Sequence, residues 1–193
     1  MAGGRPRSFD ADAELDRALE VFWRQGYEGT SLTDLTTALG INRPSLYAAF
    51  GNKEELFAKV LDRYAAGPGA YAAEALTAPT VAEVVERLVR GAVELTAGPR
   101  TPPGCLTVHG VHSCDPGSAS ARQAAIARRM AAETALRRRF EQAADLPAGC
   151  DPATLARLVH TVTDGIAVQA AAGRTREELH EVAALALRTL VRA

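Results

Sequence analysis

Ser31-Leu32-Thr33-Asp34-Leu35-Thr36-Thr37-Ala38-Leu39-Gly40-Ile41-Asn42-Arg43-Pro44-Ser45-Leu46-Tyr47-Ala48-Ala49-Phe50 is the stretch on which the fold turns. Ser31-x-x-Asp34 has the capping-box spacing that opens a helix, with Leu32, Leu35 and Leu39 facing inward. Gly40 ends that helix after about two turns, because glycine enters the left-handed conformation at little steric cost. Asn42 caps the next helix, and Pro44 is tolerated in its first turn, where no intrahelical donor is needed. Leu46 and Phe50 form its inner face, which leaves Arg43, Ser45, Tyr47 and Ala48 pointing outward. Two such short helices joined by Gly40-Ile41 make a tight corner. That brevity is what lets the second protrude into a DNA major groove, ~12 Å wide.

The flanks read as more helix. Upstream, Leu15, Ala18, Leu19, Phe22 and Trp23 fall on one stripe of a first helix that Gly26 ends. Downstream, Asn52 and Glu55 cap a fourth helix whose stripe is Leu56, Phe57, Val60, Leu61 and Tyr64. From Ala65 to Pro79 the chain carries Gly67, Pro68, Gly69 and Pro79, which predicts a loosening between two modules. Residues 1–64 are therefore assigned to a helix-turn-helix unit and residues 65–193 to a second helical unit. Thr80-x-x-Glu83 opens a helix with Val81, Val84, Val85, Leu88, Ala92 and Leu95 on one face. Residues 98–104 form a loop, and a short helix starts near Cys105. A turn at Asp115-Pro116-Gly117 leads into a long helix over about 118–144. Two final helices run over about 152–172 and 176–192. The expected fold class is all-α, with about nine helices.

Composition agrees with this reading and narrows the compartment. Hydrophobic residues are 47% of the 193, enough for a packed core. No run of ~18 apolar residues is present, and the basic start of the chain is followed by acidic helix, not an apolar signal core, so a soluble cytoplasmic protein is expected. Cys105, Cys114 and Cys150 are an odd, scattered set and read as reduced thiols. The formal net charge is −1. Residues 1–64 hold eight Lys/Arg against ten Asp/Glu, so bulk charge does not announce nucleic-acid binding. Placement matters more: Asp10, Asp12, Glu14 and Asp16 crowd the start of the first helix, where they suit its dipole. Arg5, Arg7, Arg43 and Lys53 lie outside that cluster.

The runs Gly26-Tyr27-Glu28-Gly29-Thr30-Ser31-Leu32-Thr33-Asp34-Leu35 and Leu39 to Phe57, ending in Lys53-Glu54-Glu55-Leu56-Phe57, resemble the DNA-binding domain of TetR-family regulators. The likeness covers about residues 8–62. It implies a helical C-terminal domain for ligand binding and dimerisation, and DNA contacts at Thr30, Ser31, Asn42, Arg43, Pro44, Ser45, Tyr47 and Lys53. Ala48 and Ala49 replace bulkier residues of many members, which shifts base reading onto Arg43 and Ser45. A planar guanidinium at Arg43 can grip guanine O6 and N7 or a phosphate, and the Tyr47 hydroxyl suits a phosphate oxygen. Arg5 and Arg7 either reach a minor groove as an arm or belong to an unstructured terminus.

The second unit carries weaker signals. Cys105, at a helix start after Pro102-Pro103-Gly104, reads either as a thiol sensor of oxidants or electrophiles or as a small core residue. Cys105, His109, His112 and Cys114 share metal-ligating chemistry, but one short helix cannot aim all four at one ion, so no metal and no cofactor are expected. Tyr71, Leu106, His109, Met130 and Phe140 are candidates for a ligand pocket, and core packing is the alternative for each. Arg122, Arg128, Arg129, Arg137, Arg138 and Arg139 make a basic helix face.

These readings converge on a repressor that leaves a palindromic double-stranded operator when a small-molecule effector binds. Val168, Ala171, Leu185 and Leu187 fall off the main stripes of the last two helices, and a homodimeric four-helix bundle would bury them. No membrane partner is expected. Neither a paired carboxylate, a Gly-rich phosphate loop nor a Ser/His/Asp set is present, so an enzyme is not expected. The alternatives from other classes are a metal-dependent hydrolase around His109 and His112 and a helical adaptor that binds protein alone.

Overall fold

The computed structural model describes residues 10–112 and 116–190. Arg5, Arg7, Cys114 and Asp115 lie outside them. Asp10 caps α1 (Ala11–Gly29), accepting from the amides of Asp12 and Ala13 at 3.1 and 3.3 Å. Gly26 stands at φ 72° inside this span, so the regular helix ends there and Tyr27–Gly29 form one further turn. The expected stop and the observed break coincide at the one residue without a Cβ to oppose it. Ser31 and Asp34 cap α2 (Leu32–Leu39) reciprocally, at 2.8 and 3.1 Å. Gly40, at φ 68°, ends it. Asn42 Oδ1 accepts from the Ser45 amide at 2.9 Å to open α3 (Arg43–Phe50), and Asn52 with Glu55 caps α4 (Lys53–Ala66).

Aromatic packing locks α1 against α4. The Phe57 ring lies 5.1 Å from Phe22 and 5.0 Å from Tyr27, while Trp23 meets Tyr64 edge-on at 4.9 Å. Tilted and edge-to-face pairs of this kind add ~0.5–1.5 kcal/mol each beyond the area they bury. Leu35, Leu39, Leu46 and Leu56 complete the core. Leu95, Leu106, Ala121 and Ala125 from later helices join the same cluster, so the apolar interior continues across the 64/65 division.

Of the expected loosening after α4, residues 68–75 are helical and residues 76–79 are turns. Gly67 caps α4, Pro68–Ala70 make a 3-10 turn, and α5 (Tyr71–Ala75) follows at once. Proline and glycine there turn the chain without loosening it, because Tyr71 and Ala75 pack on the neighbouring helix. That added element brings the described helices to ten. The second core is built from α6 (Val81–Ala97), α8 (Ala119–Glu141), α9 (Pro152–Ala171) and α10 (Arg176–Leu190). Val85, Val89, Leu136, Phe140, Ile166 and Leu179 are among its most buried side chains. The short α7 (Leu106–Val111) slots between α1 and α8. Among the described residues no strand occurs, and no helix is long and apolar enough to cross a membrane.

Candidate nucleic-acid interface and buried cavity

The α3 helix divides sharply between its two faces. Leu46 and Phe50 are buried, whereas Asn42, Arg43, Pro44, Ser45, Tyr47, Ala48 and Ala49 are exposed. Tyr47 keeps 45% of its surface open, an unusual outlay for a ring that the core could bury. The guanidinium of Arg43 reaches Thr33 Oγ1 of α2 at 3.3 Å, which places a polar group of each helix on one ridge. Thr33 was not anticipated from the sequence, because its role depends on how α2 and α3 cross. The α3 carbonyl end is held by Lys59, whose ammonium donates to Phe50 O at 3.0 Å.

Charge on this ridge is positive even though the unit as a whole is not. Arg43–Phe50 contains no acid. Asp34 is taken up by its bonds to Ser31, which hold its carboxyl below the usual range. Asp16 is bound twice by Arg63 at 2.7 Å, and that hydrogen bonding lowers its pKa. Asp12 and Asp16 of α1 are thus drawn to Arg63 of α4, and Glu14 and Glu20 pair with Arg17 and Arg24 of their own helix. Lys53, in the first turn of α4, lies 4.3 Å over the Tyr27 ring. Burial against that ring pulls the Lys53 pKa down, opposed by the nearby Glu28 and Asp34 carboxylates.

Thr30 is a correction. Its side chain is fully buried and its hydroxyl donates to Gly26 O at 2.7 Å, bridging the break in α1. It shapes the corner from inside and presents nothing to a phosphate. Ser31 is exposed, but its hydroxyl is engaged with Asp34 at 2.6 Å.

A partly open cavity of about 180 Å³ lies between α4, α5, α6, α7, α8 and α9. Leu61, Ala92, Leu95, Val108, Ala132 and Ala167 supply apolar wall, and Tyr64, Tyr71, Cys105, Thr107, Arg129, His160 and Asp164 supply polar atoms. A chamber of about 250 Å³ shares Tyr71, Ala132 and His160 with it and extends toward Leu88 and Val159. Cys105 Sγ accepts from Tyr64 Oη at 3.4 Å and lies 3.1 Å from Thr107 Oγ1. Burial holds the Tyr64 phenol well above its ordinary pKa. Burial pushes the His160 pKa down. Arg129 pairs with Asp164 across α8 and α9.

Of the five pocket candidates, Tyr71 lines both chambers. Four do not. Met130 is 65% exposed on the outer face of α8. Phe140 is fully buried in the second core. Leu106 is equally buried, but among the residues packed under α1. His109 turns to Gly104, where a Cβ would sit 2.8 Å from its Nε2, so α7 offers Thr107 and Val108 to the cavity instead. Burial, then the neighbouring His112, lowers the His109 pKa. Among the described residues no three His, Cys, Asp or Glu side chains converge as a metal site. Arg129, read from the sequence only as part of a basic helix face, turns to the cavity, while His160 and Asp164 were missed, since nothing local in α9 marks those positions.

Comparison with known proteins bears on both features. Residues 15–60 match the model of bacterial regulatory proteins, tetR family. The chain is 33% identical over 190 residues to the HTH-type transcriptional repressor ComR of Escherichia coli K12, covering 96% of this chain and 90% of ComR. It is 32% identical to the repressor BdcR of the same organism, over 95% of this chain and 90% of BdcR. Its fold superposes on the TetR-family regulator CifR, determined as a cysteine mutant with 26 bp double-strand operator DNA. The TM-score is 0.88 at 41% identity, over 95% of this chain and 98% of CifR. With an exposed α3 on a buried aromatic platform and full-length likeness to such regulators, the chain belongs to the TetR family of bacterial regulatory proteins.

Proposed function

We propose that this protein is a transcriptional repressor that grips double-stranded operator DNA through α3 and releases it when a small molecule fills the interior cavity. The observation that carries the reading is the α3 ridge: seven consecutive or near-consecutive exposed residues from Asn42 to Ala49, interrupted only by the buried anchor Leu46. CifR, at 41% identity, is bound to operator DNA, and ComR and BdcR are repressors, which supports the same role here. In this role Arg43 and Ser45 read bases, while Asn42, Pro44, Tyr47, Ser31 and Lys53 position the helix against phosphates. Thr30 supports them from below. Arg5 and Arg7 would extend the contact toward a minor groove. Residues 1–64 then act as the reading head and residues 65–193 as the regulatory and dimerising part, in the cytoplasm.

A palindromic site requires two reading heads ~34 Å apart. Leu158, Val168, Val182 and Leu185 on α9 and α10 remain 45–57% exposed, and pairing of these faces in a homodimer would cover them. A ligand that favours a different spacing must bind that state more tightly by ~5.5 kcal/mol to reverse a 99:1 population. The test is retention on duplex DNA of a sequence selected from a random pool, as a function of salt. Phosphate contacts give a steep salt slope. A flat slope, or no selected sequence, refutes the reading and favours a protein-binding adaptor.

A second reading is favoured by the position of Cys105. Its sulfur forms part of the cavity wall within reach of two hydroxyls, so an oxidant or electrophile that enters the cavity could itself be the signal. Cys105→Ser should then abolish release by such agents. Equal release from the mutant disposes of the thiol.

A further inference from the structure

Two arginines border the cavity, and the simplest inference from them would be an anionic ligand. Their bonds say otherwise. Arg128 is fully engaged, with Nε 2.8 Å from Asp62 Oδ1, Nη1 3.0 Å from Ala124 O and Nη2 2.9 Å from Ala58 O. Arg129 is paired with Asp164. His160 is held toward its neutral form by burial. The wall is therefore electrically balanced, and a carboxylate entering it would lose its hydration without gaining an unpaired cation, which is strongly unfavourable.

The hydroxyls are mostly occupied too. Thr96 donates to Ala92 O at 2.7 Å, Thr163 to His160 O at 3.0 Å, and Tyr64 to Cys105. Tyr71 differs: among the described residues lining the cavity, its hydroxyl has no protein partner. The ring is nevertheless held in place. A Cβ built on Gly91 would fall 2.2 Å from Tyr71 Cδ2 and 2.5 Å from Cε2. Glycine inside α6 costs ~1 kcal/mol against alanine, and here it is the only residue that lets the ring lie flat against the helix. Gly91 thus fixes where the free hydroxyl points.

We propose that the cavity takes an uncharged molecule about the size of one six-membered ring, with an acceptor oxygen that receives the Tyr71 hydroxyl. Size supports the class: an apolar cavity of ~150 Å³ accommodates benzene, the chamber beside Cys105 and Thr107 measures about 180 Å³, and the second chamber, which shares Tyr71, leaves room for a substituent on the ring. Burial raises the Tyr71 pKa further, so the phenol remains a donor throughout the physiological range. The proposal rests on the cavity being the effector site.

The test uses the full chain and three probes of similar shape: acetophenone (neutral, with an acceptor), benzoate (anionic) and toluene (no acceptor). Calorimetry should give acetophenone at least ten-fold tighter than benzoate. Tyr71→Phe should weaken acetophenone five- to ten-fold and leave toluene unchanged, and Gly91→Ala should cause a similar loss by displacing the ring. Benzoate binding as tightly as acetophenone, an unchanged acetophenone affinity in Tyr71→Phe, or no binding of any probe overturns the proposal. Operator release is measured separately. The expected ranking without release would uphold this ligand class and overturn the effector role of the cavity.

Discussion

Trp23 Nε1 donates a buried 2.9 Å hydrogen bond to the carbonyl of Gly104, 81 residues away. This bond ties α1, in the reading head, to the loop that ends at Cys105 on the cavity wall. Arg128, which borders the cavity and binds Ala58 O and Asp62, and Tyr64, whose hydroxyl donates to Cys105, tie α4 to the same wall.

Trp23→Phe keeps a ring against Tyr64 but leaves the buried Gly104 carbonyl without its donor. An unsatisfied buried acceptor costs ~1–3 kcal/mol. The urea midpoint should fall accordingly with the m-value unchanged, and an unaltered midpoint would remove this bond from the account of how the two parts are joined.

Arg43→Ala removes the one cation on the exposed face of α3. A base-reading arginine contributes ~1–3 kcal/mol, so operator affinity should drop about five- to a hundred-fold at matched salt. Tyr47→Phe should lower it by a smaller factor. Neither side chain supports the core, so thermal stability should hold. Wild-type affinity in both variants, measured by fluorescence anisotropy, would refute the contact assignment.

Leu185→Glu on α10 should disrupt the proposed dimer. An unpaired charge in an interface costs ~3–5 kcal/mol, so sedimentation should show protomers at micromolar concentration and loss of operator binding. A stable dimer with full DNA binding would place the interface elsewhere.

Stability should decrease as the solution is acidified below about pH 6.5. Burial lowers the folded-state pKa of His160 and, to its own extent, of His109 below the ordinary imidazole value of 6.5. The unfolded chain then takes up protons first, and unfolding gains from them. The contribution is fully present above pH 6.5 and is lost as pH falls toward the folded pKa values. Urea midpoints at pH 7.5 and 5.5 check the sign, and His160→Gln should flatten the difference. A midpoint that rises on acidification would contradict the burial of these rings.

The local part of the fold was legible because helix ends are short-range events. Ser31 with Asp34, Asn42 with Ser45 and Asn52 with Glu55 each close a bond between residues three apart, so sequence spacing nearly determines them. The stripes of α4 and α6 were equally plain, since a 3.6-residue period selects the buried side directly. Prolines and glycines after α4 misled for the same reason that they usually inform: they disfavour a continuing helix, but they do not prevent a new one from starting on a packing surface. The resemblance puts Thr30 among the DNA contacts, whereas its bond to Gly26 O satisfies the hydroxyl in the interior.

From its sequence alone, this protein has its helices, their caps and the outward edge of α3, all set by interactions within one or two turns of chain. Only tertiary packing decided which side chains meet in the cavity. Tyr71 rests on Gly91, Arg129 pairs with Asp164, and Tyr64 bonds Cys105 across 20, 35 and 41 residues of sequence, respectively. Such partners are chosen by how helices cross, and no local periodicity encodes a crossing.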